Sequence, residues 1–272
     1  SINMVYGGAS CGKKVMTSSS SPGVSLMCEG ISYIAGAELP CVIVDVMRGG
    51  PGLGTIQPSQ SDYNQIVKGG GHGDFHNIVI APASAQDMYD FVDWGFELAF
   101  KHRNPVVILA DGIIGQMMEK VEMHEMKPRR TAEEIAKVAP WATVGKPAGR
   151  ERNIITSLSL DADIQEKFNR KLKNKYDIIE ETEVKFSEYM TEDAEYLFVA
   201  FGCSSRICEA VVDELRAEGI KAGLLRPITL YPFPVKEIAR LSKQVKSMMS
   251  IELNLGQMVD DVRLAVNGAC PV

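Results

Sequence analysis

Three short runs constrain this chain more than any other feature: Cys41-Val42-Ile43-Val44-Asp45-Val46-Met47, Asn77-Ile78-Val79-Ile80-Ala81-Pro82 and Pro105-Val106-Val107-Ile108-Leu109. Each is β-branched and aliphatic on successive residues, so neither face of the strand it forms tolerates water. Strands of that kind belong to a parallel sheet covered on both sides. The stretch between the second and third runs, residues 84–102, carries Met88, Phe91, Val92, Phe96 and Leu98 at helical spacing. Strand, helix and strand within about 30 residues make a βαβ unit.

The same alternation extends through residues 1–116. A small-residue helix is predicted over 2–10 and a short strand over 14–17. The turn Ser18-Ser19-Ser20-Ser21-Pro22-Gly23 then leads into a helix over 24–37. Serines ahead of a helix suit capping of its free N–H groups, and Pro22 suits a helix start. Residues 117–194 are more charged and are broken by Pro128, Pro140 and Pro147, with helical charge patterning over 161–176. They read as a connector of the kind that wraps a neighbour. From residue 195 to 272 a second α/β pattern follows. Strands are predicted at 196–201, 222–225 and 245–252, a turn at 227–234, and helices at 205–218, 235–242 and 257–266. The expected class is therefore α/β, with two parallel-sheet domains over 1–116 and 195–272.

At 272 residues the chain is long enough for two cores. Its net charge of −6 leaves no footprint for nucleic acid or an anionic membrane, and the basic stretch over 150–175 is interleaved with acids. No apolar run approaches the roughly 20 residues of a membrane span. With no signal peptide visible, the expected compartment is cytoplasmic. Six scattered cysteines form no CxxC pair, so they read as structural thiols rather than as ligands of a cluster or metal held by this chain.

Candidate chemistry is sparse. Arg48 stands where the run 41–47 ends, and in open parallel sheets ligands gather beyond the carboxyl ends of strands. Its planar guanidinium can grip a carboxylate bidentately; the alternative is a solvated arginine on a turn. The glycine-rich loop after it, Gly49-Gly50-Pro51-Gly52-Leu53-Gly54, fails as a dinucleotide fingerprint because no helix opens and Pro58 interrupts. The hydroxyls of Thr17, Ser18, Ser19 and Ser20 can meet a polar ligand, or simply cap a helix. His72 and His76 suggest metal by spacing. They lie on a loop with no third ligand, so one hydrogen-bonded and one exposed histidine is the expectation, and no metal is assigned.

Several stretches together resemble the α-type subunit of 2-oxoacid:ferredoxin oxidoreductases, nearest the branch acting on 2-oxoisovalerate or 2-oxoglutarate. They are Val15-Met16-Thr17-Ser18-Ser19-Ser20-Ser21-Pro22-Gly23, Asp45-Val46-Met47-Arg48-Gly49-Gly50-Pro51-Gly52, Gly70-Gly71-His72-Gly73-Asp74, Leu109-Ala110-Asp111-Gly112-Ile113-Ile114-Gly115-Gln116, Phe201-Gly202-Cys203-Ser204-Ser205-Arg206 and Leu225-Arg226-Pro227-Ile228-Thr229-Leu230-Tyr231-Pro232-Phe233-Pro234. The resemblance implies a pyrimidine-type thiamine diphosphate domain followed by a transketolase C-terminal-like domain, both cut short at the chain's ends. It implies oxidative decarboxylation of a 2-oxoacid, with coenzyme A taking the acyl group and ferredoxin the electrons. Thiamine diphosphate would be shared with a β subunit that holds the diphosphate and Mg2+, while iron–sulfur clusters (4Fe–4S) would sit on partner chains.

In that family an activating glutamate precedes the helix that opens this chain, which places it before Ser1, so the fragment alone is expected to be inactive. Arg48 matches the family's substrate-carboxylate arginine, and Thr17, Ser18, Ser19 and Ser20 lie on the turn near the cofactor. A transketolase-like or lipoamide-linked half-site, or a non-catalytic scaffold, are the competing readings.

Overall fold

The computed structural model describes residues 2–272 apart from 127, 147, 148 and 150, so the break expected at Pro147 and the start of the basic stretch at Arg150 lie outside the described residues. The apolar runs form strands because their side chains leave water on both faces. In chain order, helix α1 (Ile2–Ser10), strand β1 (Met16–Ser19), the short turn α2 (Pro22–Ser25) and helix α3 (Cys28–Gly36) lead into β2 (Cys41–Met47). A π-helical turn, Asn64–Gly69, precedes β3 (Ile78–Ile80), helix α4 (Ala85–His102) and β4 (Pro105–Asp111). The predicted helix over 24–37 is thus two pieces: the Met27 N–H donates back to Val24 O at 2.8 Å, a tighter turn than an α-helix makes.

Helix α4 starts where Ser84 accepts the Asp87 N–H at 2.9 Å and ends with Arg103 in a left-handed conformation, φ 49°. Gly95 lets it lie close on the sheet: a Cβ there would stand 3.3 Å from Val42 Cγ2. Val42, Val106, Ile80 and Ile108, on the face that Gly95 touches by strand alternation, are fully buried. Each such side chain contributes about 1.5–3 kcal/mol by leaving water.

The remaining elements are α5 (Gly112–Gln116), α6 (Ala132–Val138), α7 (Ala162–Thr182), β5 (Phe186–Tyr189), β6 (Tyr196–Ala200), α8 (Gly202–Ala217), β7 (Ala222–Pro227), β8 (Thr229–Tyr231), α9 (Val235–Leu241), β9 (Ser247–Ile251) and α10 (Met258–Val266). One sheet has the order β1-β2-β4-β3-β8, parallel except for β8; the other is β5-β7-β6-β9, parallel except for β5.

Two of these strands differ from the sequence reading. Phe186–Tyr189, in the stretch read as connector, pairs antiparallel with β7. Thr229–Tyr231, read as part of a turn, leaves the second sheet and pairs with β3 of the first. Both are edge strands of three or four residues, and only pairing with a distant partner makes them extended.

This crossing stitches the sheets together. The Ala81 N–H donates to Ile228 O at 2.8 Å, and Arg226 reaches Asp87 Oδ2 at 2.6 Å. One apolar cluster runs through both halves, from Ile2 and Val42 to Leu225 and Val262. Among the described residues no helix is long and apolar enough to cross a membrane. All six cysteines are free, and burial pushes the thiols of Cys41 and Cys203 up to about 12.

Candidate functional site

Strands β1 and β2 run parallel with Ser19 opposite Asp45, so the turn leaving one and the loop leaving the other emerge at a common carboxyl edge. Ser21 joins them. It sits at φ 31° and ψ −89°, a conformation that costs a non-glycine residue on the order of 1–3 kcal/mol and persists only where neighbours hold it. Three hydrogen bonds do so. Its N–H donates to Asp45 Oδ1 at 3.1 Å, its Oγ accepts the Arg48 N–H at 3.1 Å, and its hydroxyl donates to Asp62 Oδ2. The capping role expected of this serine run is absent: Ser21 occupies the position ahead of α2 but makes no side-chain cap bond. Its oxygen is committed to Arg48 and Asp62 instead.

Arg48 is half-buried at the end of β2, and its backbone also bridges to Pro58. Its Nε is enclosed and has no hydrogen-bond partner, and among the described residues its guanidinium forms no ion pair. Its charge acts on Asp62 without such a pair, so its capacity for a bidentate contact with an anion is unspent.

Behind it lie two acids. Asp45 is wholly buried and Asp62 nearly so. Burial first, and then the charge of Asp62, push the Asp45 carboxyl up to about 8, against the opposing pull of the Ser21 N–H. Burial raises Asp62 as well, opposed by hydrogen bonds from Ser21 and Asp45 and by the Arg48 charge.

The loop from Arg48 to Asp62 is anchored at its far end to the second sheet. Gln60 is fully buried and spends its whole amide: Nε2 donates to Phe201 O at 2.9 Å and Asp111 Oδ2 at 3.2 Å, while Oε1 accepts from Ser204 Oγ at 3.0 Å and Leu253 N at 3.1 Å. Asp111, at the end of β4, accepts the Cys203 N–H at 2.8 Å on the same Oδ2. Its Oδ1 caps α5 through Ile113 and Ile114 N–H at 3.2 and 3.1 Å. All the acceptor capacity of Asp111 is therefore used inside the fold.

A cavity of about 570 Å3 opens beside the β1 edge. Thr17, Ser18 and Ser19 form its polar wall, Leu26 and Met27 an apolar one, and Ile2 and Asn3 at the start of α1 close one side. Ser20 does not line it; its carbonyl accepts the Gly23 N–H at 2.8 Å and closes the turn. Glu29 and Tyr33, hydrogen-bonded to each other at 2.7 Å, complete the lining, so the cavity is polar on one side and apolar on the other.

The two loop histidines do not converge. His72 is engaged through its backbone N–H, which donates to Ser32 Oγ at 2.8 Å, and the His76 ring stacks on Tyr231 with centroids 4.4 Å apart. Among the described residues no group of three His, Cys, Asp or Glu is placed to hold a metal.

Sequence reasoning singled out Arg48, whose position at the end of β2 is as expected, but not Asp45, Asp62, Gln60 or the particular placing of Ser21. One signal was available: Asp45 is the single charge in an otherwise apolar run, and a lone buried acid needs a partner.

Two family models cover almost the whole chain. One, described as pyruvate flavodoxin/ferredoxin oxidoreductase, thiamine diP-binding, matches residues 1–187; the other, pyruvate:ferredoxin oxidoreductase core domain II, matches 194–272. The chain belongs to this oxidoreductase family. It is 54% identical over 266 residues to the ketoisovalerate oxidoreductase subunit VorB of Methanothermobacter marburgensis, covering 97% of this chain and 73% of that one. It is 38% identical over 283 residues to the 2-oxoglutarate synthase subunit KorA of Methanocaldococcus jannaschii, covering 96% and 75%.

Among solved structures, a 2-oxoglutarate:ferredoxin oxidoreductase from Magnetococcus marinus superposes on all of this subunit with a TM-score of 0.82 at 27% identity. This subunit spans 52% of that chain, which was solved with 2-oxoglutarate, coenzyme A and succinyl-CoA bound. A split-gene transketolase, at 14% identity and a TM-score of 0.57, covers all of this subunit and 69% of its own length, and shares the fold. The α/β class and the pairing of a thiamine diphosphate-type domain with a transketolase-like one thus stand.

Proposed function

We propose that this subunit presents Arg48 to the carboxylate of a 2-oxoacid, as part of an oxidoreductase that decarboxylates the acid oxidatively, with coenzyme A as acyl acceptor and ferredoxin as electron acceptor. The observation that carries the reading is the enclosed, unpartnered Nε of Arg48 at the carboxyl edge of the sheet. The 54% relative is named for ketoisovalerate, against 38% for one named for 2-oxoglutarate. A branched 2-oxoacid is accordingly the proposed substrate.

Thiamine diphosphate, when bound, supplies the carbon centre at which the 2-oxo carbon is attacked and CO2 leaves. Thr17, Ser18 and Ser19 would line the pocket for its aminopyrimidine end, with Ser20 shaping the turn. The diphosphate and Mg2+ are proposed to lie on a β subunit, and the iron–sulfur clusters on further partner chains. This chain's own contribution is orientation. Arg48 takes up the carboxylate, fixing the distance and angle of the neighbouring oxo carbon, while the apolar wall of Leu26 and Met27 keeps water from the ring face.

The test is Arg48→Ala and Arg48→Lys in the full-length subunit assembled with its partners, with a panel of branched, acidic and short 2-oxoacids. Loss of a charge-assisted, bidentate contact should lower kcat/KM by about 10- to 100-fold, with thiamine diphosphate affinity held. Loss of cofactor binding with normal use of the oxoacid would remove Arg48 from this role.

A further inference from the structure

The mechanism so far leaves two buried acids without a purpose. Asp45 Oδ1 takes the Ser21 N–H, and Asp62 Oδ2 takes the Ser21 hydroxyl. Counted as a bare carboxylate, Asp45 is left with Oδ2 enclosed and without a donor. The Asp62 carboxyl stands beside it, since both acids are bonded to the one residue Ser21, and its charge is part of what raises Asp45. Two carboxylates cannot hydrogen-bond each other, whereas a carboxylic acid and a carboxylate can. One proton between them therefore satisfies the orphaned oxygen and removes half the buried charge.

The surroundings leave little else that could do so. On the sheet Asp45 lies between Ser19 of β1 and Leu109 of β4, neither of which titrates. The turn ahead of α2 offers Ser21, the end of β2 offers Arg48, and the loop offers Asp62 with the hydroxyls of Ser59 and Ser61, which bond each other at 2.8 Å. Among the described residues, Arg48 is the cation whose charge acts on Asp62, and Lys68 is paired with Asp261.

We propose that Ser21, Asp45 and Asp62 form a single positioning unit that shares one proton and thereby holds Arg48 turned outward with its charge free for substrate. This deepens the reading of Arg48 as the oxoacid's receptor and rests on it. With one proton shared, the unit carries a single negative charge, delocalised and bonded through Ser21 to the Arg48 N–H. With none, it would carry two, and the guanidinium would fold back onto them. With the pair fully protonated, nothing would balance Arg48 in the absence of substrate. The strained Ser21 backbone is explained as well, since that conformation aims both its N–H and its hydroxyl at the two acids at once.

The pair makes an asymmetric prediction, tested in the assembled holoenzyme. In Asp45→Asn the amide donates permanently to Asp62, mimicking the shared proton. The KM for the 2-oxoacid should then stay low as pH rises, whereas in the parent enzyme KM should climb once the shared proton is lost, above about pH 8. In Asp62→Leu the acceptor of both donors is lost with the side chain's branched shape kept, and KM for the oxoacid should rise about 10-fold with kcat and thiamine diphosphate affinity little changed. Should Asp62→Leu fail to assemble, Ser21→Ala removes the same link, and the same rise is expected.

A high-pH rise in KM that persists in Asp45→Asn, or equal damage from Asp45→Asn and Asp62→Leu, overturns the shared proton. An unchanged KM in both Asp62→Leu and Ser21→Ala overturns the positioning role. Arg48→Ala run alongside separates the failures: if it too leaves KM untouched, the reading of Arg48 itself falls, and if it alone raises KM, only the positioning unit does.

Discussion

Gln60→Ala is the most telling perturbation of this fold, because one side chain there joins the Arg48 loop to both sheets. The substitution removes four hydrogen bonds from a site with no exposed surface. A neutral intramolecular bond is worth about 0.5–1.5 kcal/mol net, and a buried group left without its partner costs about 1–3 kcal/mol. Asp111 keeps three other N–H donors, from Cys203, Ile113 and Ile114, and so loses little. The cost falls on Phe201 O, Leu253 N–H and the Ser204 hydroxyl, and water entering the vacated space recovers part of it. A loss of about 3–4 kcal/mol is expected.

Urea unfolding of the full subunit, followed by far-UV circular dichroism, would show it as a midpoint lowered by about 1 M at an m-value near 3 kcal/mol/M. Gln60→Glu sharpens the test. It keeps the shape but sets a second carboxylate against Asp111, so it should be the worse of the two at neutral pH and recover on acidification. A loss below about 1 kcal/mol for Gln60→Ala, or a glutamate variant indifferent to pH, would show that the hub does not hold the sheets together.

Two further outcomes follow from the same region. Gly202 opens α8 at φ +60°, and a Cβ there would stand 2.5 Å from Asp111 Oδ2 and 2.7 Å from Gln60 Nε2. Gly202→Ala should therefore cost about 2–4 kcal/mol by thermal or urea unfolding, and a neutral result would mean the turn relaxes freely. The raised Asp45 carboxyl ties stability to pH. Its folded value near 8 lies above the unfolded one near 3.8, so between them the folded state binds the extra proton and stability falls as pH rises. The unfolding free energy should drop by a few kcal/mol at most from pH 5 to pH 8, and Asp45→Asn should flatten that slope, measured by urea titration at each pH.

The strands that form the centre of each sheet were legible because their residues carry the whole signal. Cys41–Met47 is apolar on successive positions, which only burial on both faces can satisfy, and its bounds are those of the observed strand. Helix α4 was equally legible, since Ser84 and the 3.6-residue apolar spacing are local chemistry. Arg48 was legible as a strand-end cation, and its place at the edge of a parallel sheet follows from strand direction alone.

Other features had no local signature. The edge strands β5 and β8 owe their extension to partners across the fold. Ser21 looked like one of four interchangeable serines, and only the side-by-side register of β1 and β2 sets it against Asp45 and Arg48. Gln60 is an unremarkable polar residue in a loop until Phe201, Ser204 and Leu253 arrive from about 140 to 190 positions away to consume its amide. Local sequence settles which segments must leave water and in what secondary structure. Which polar side chains then face one another depends on how those segments pack, because a hydrogen bond is decided by tenths of an ångström and by direction, and burial alone specifies neither.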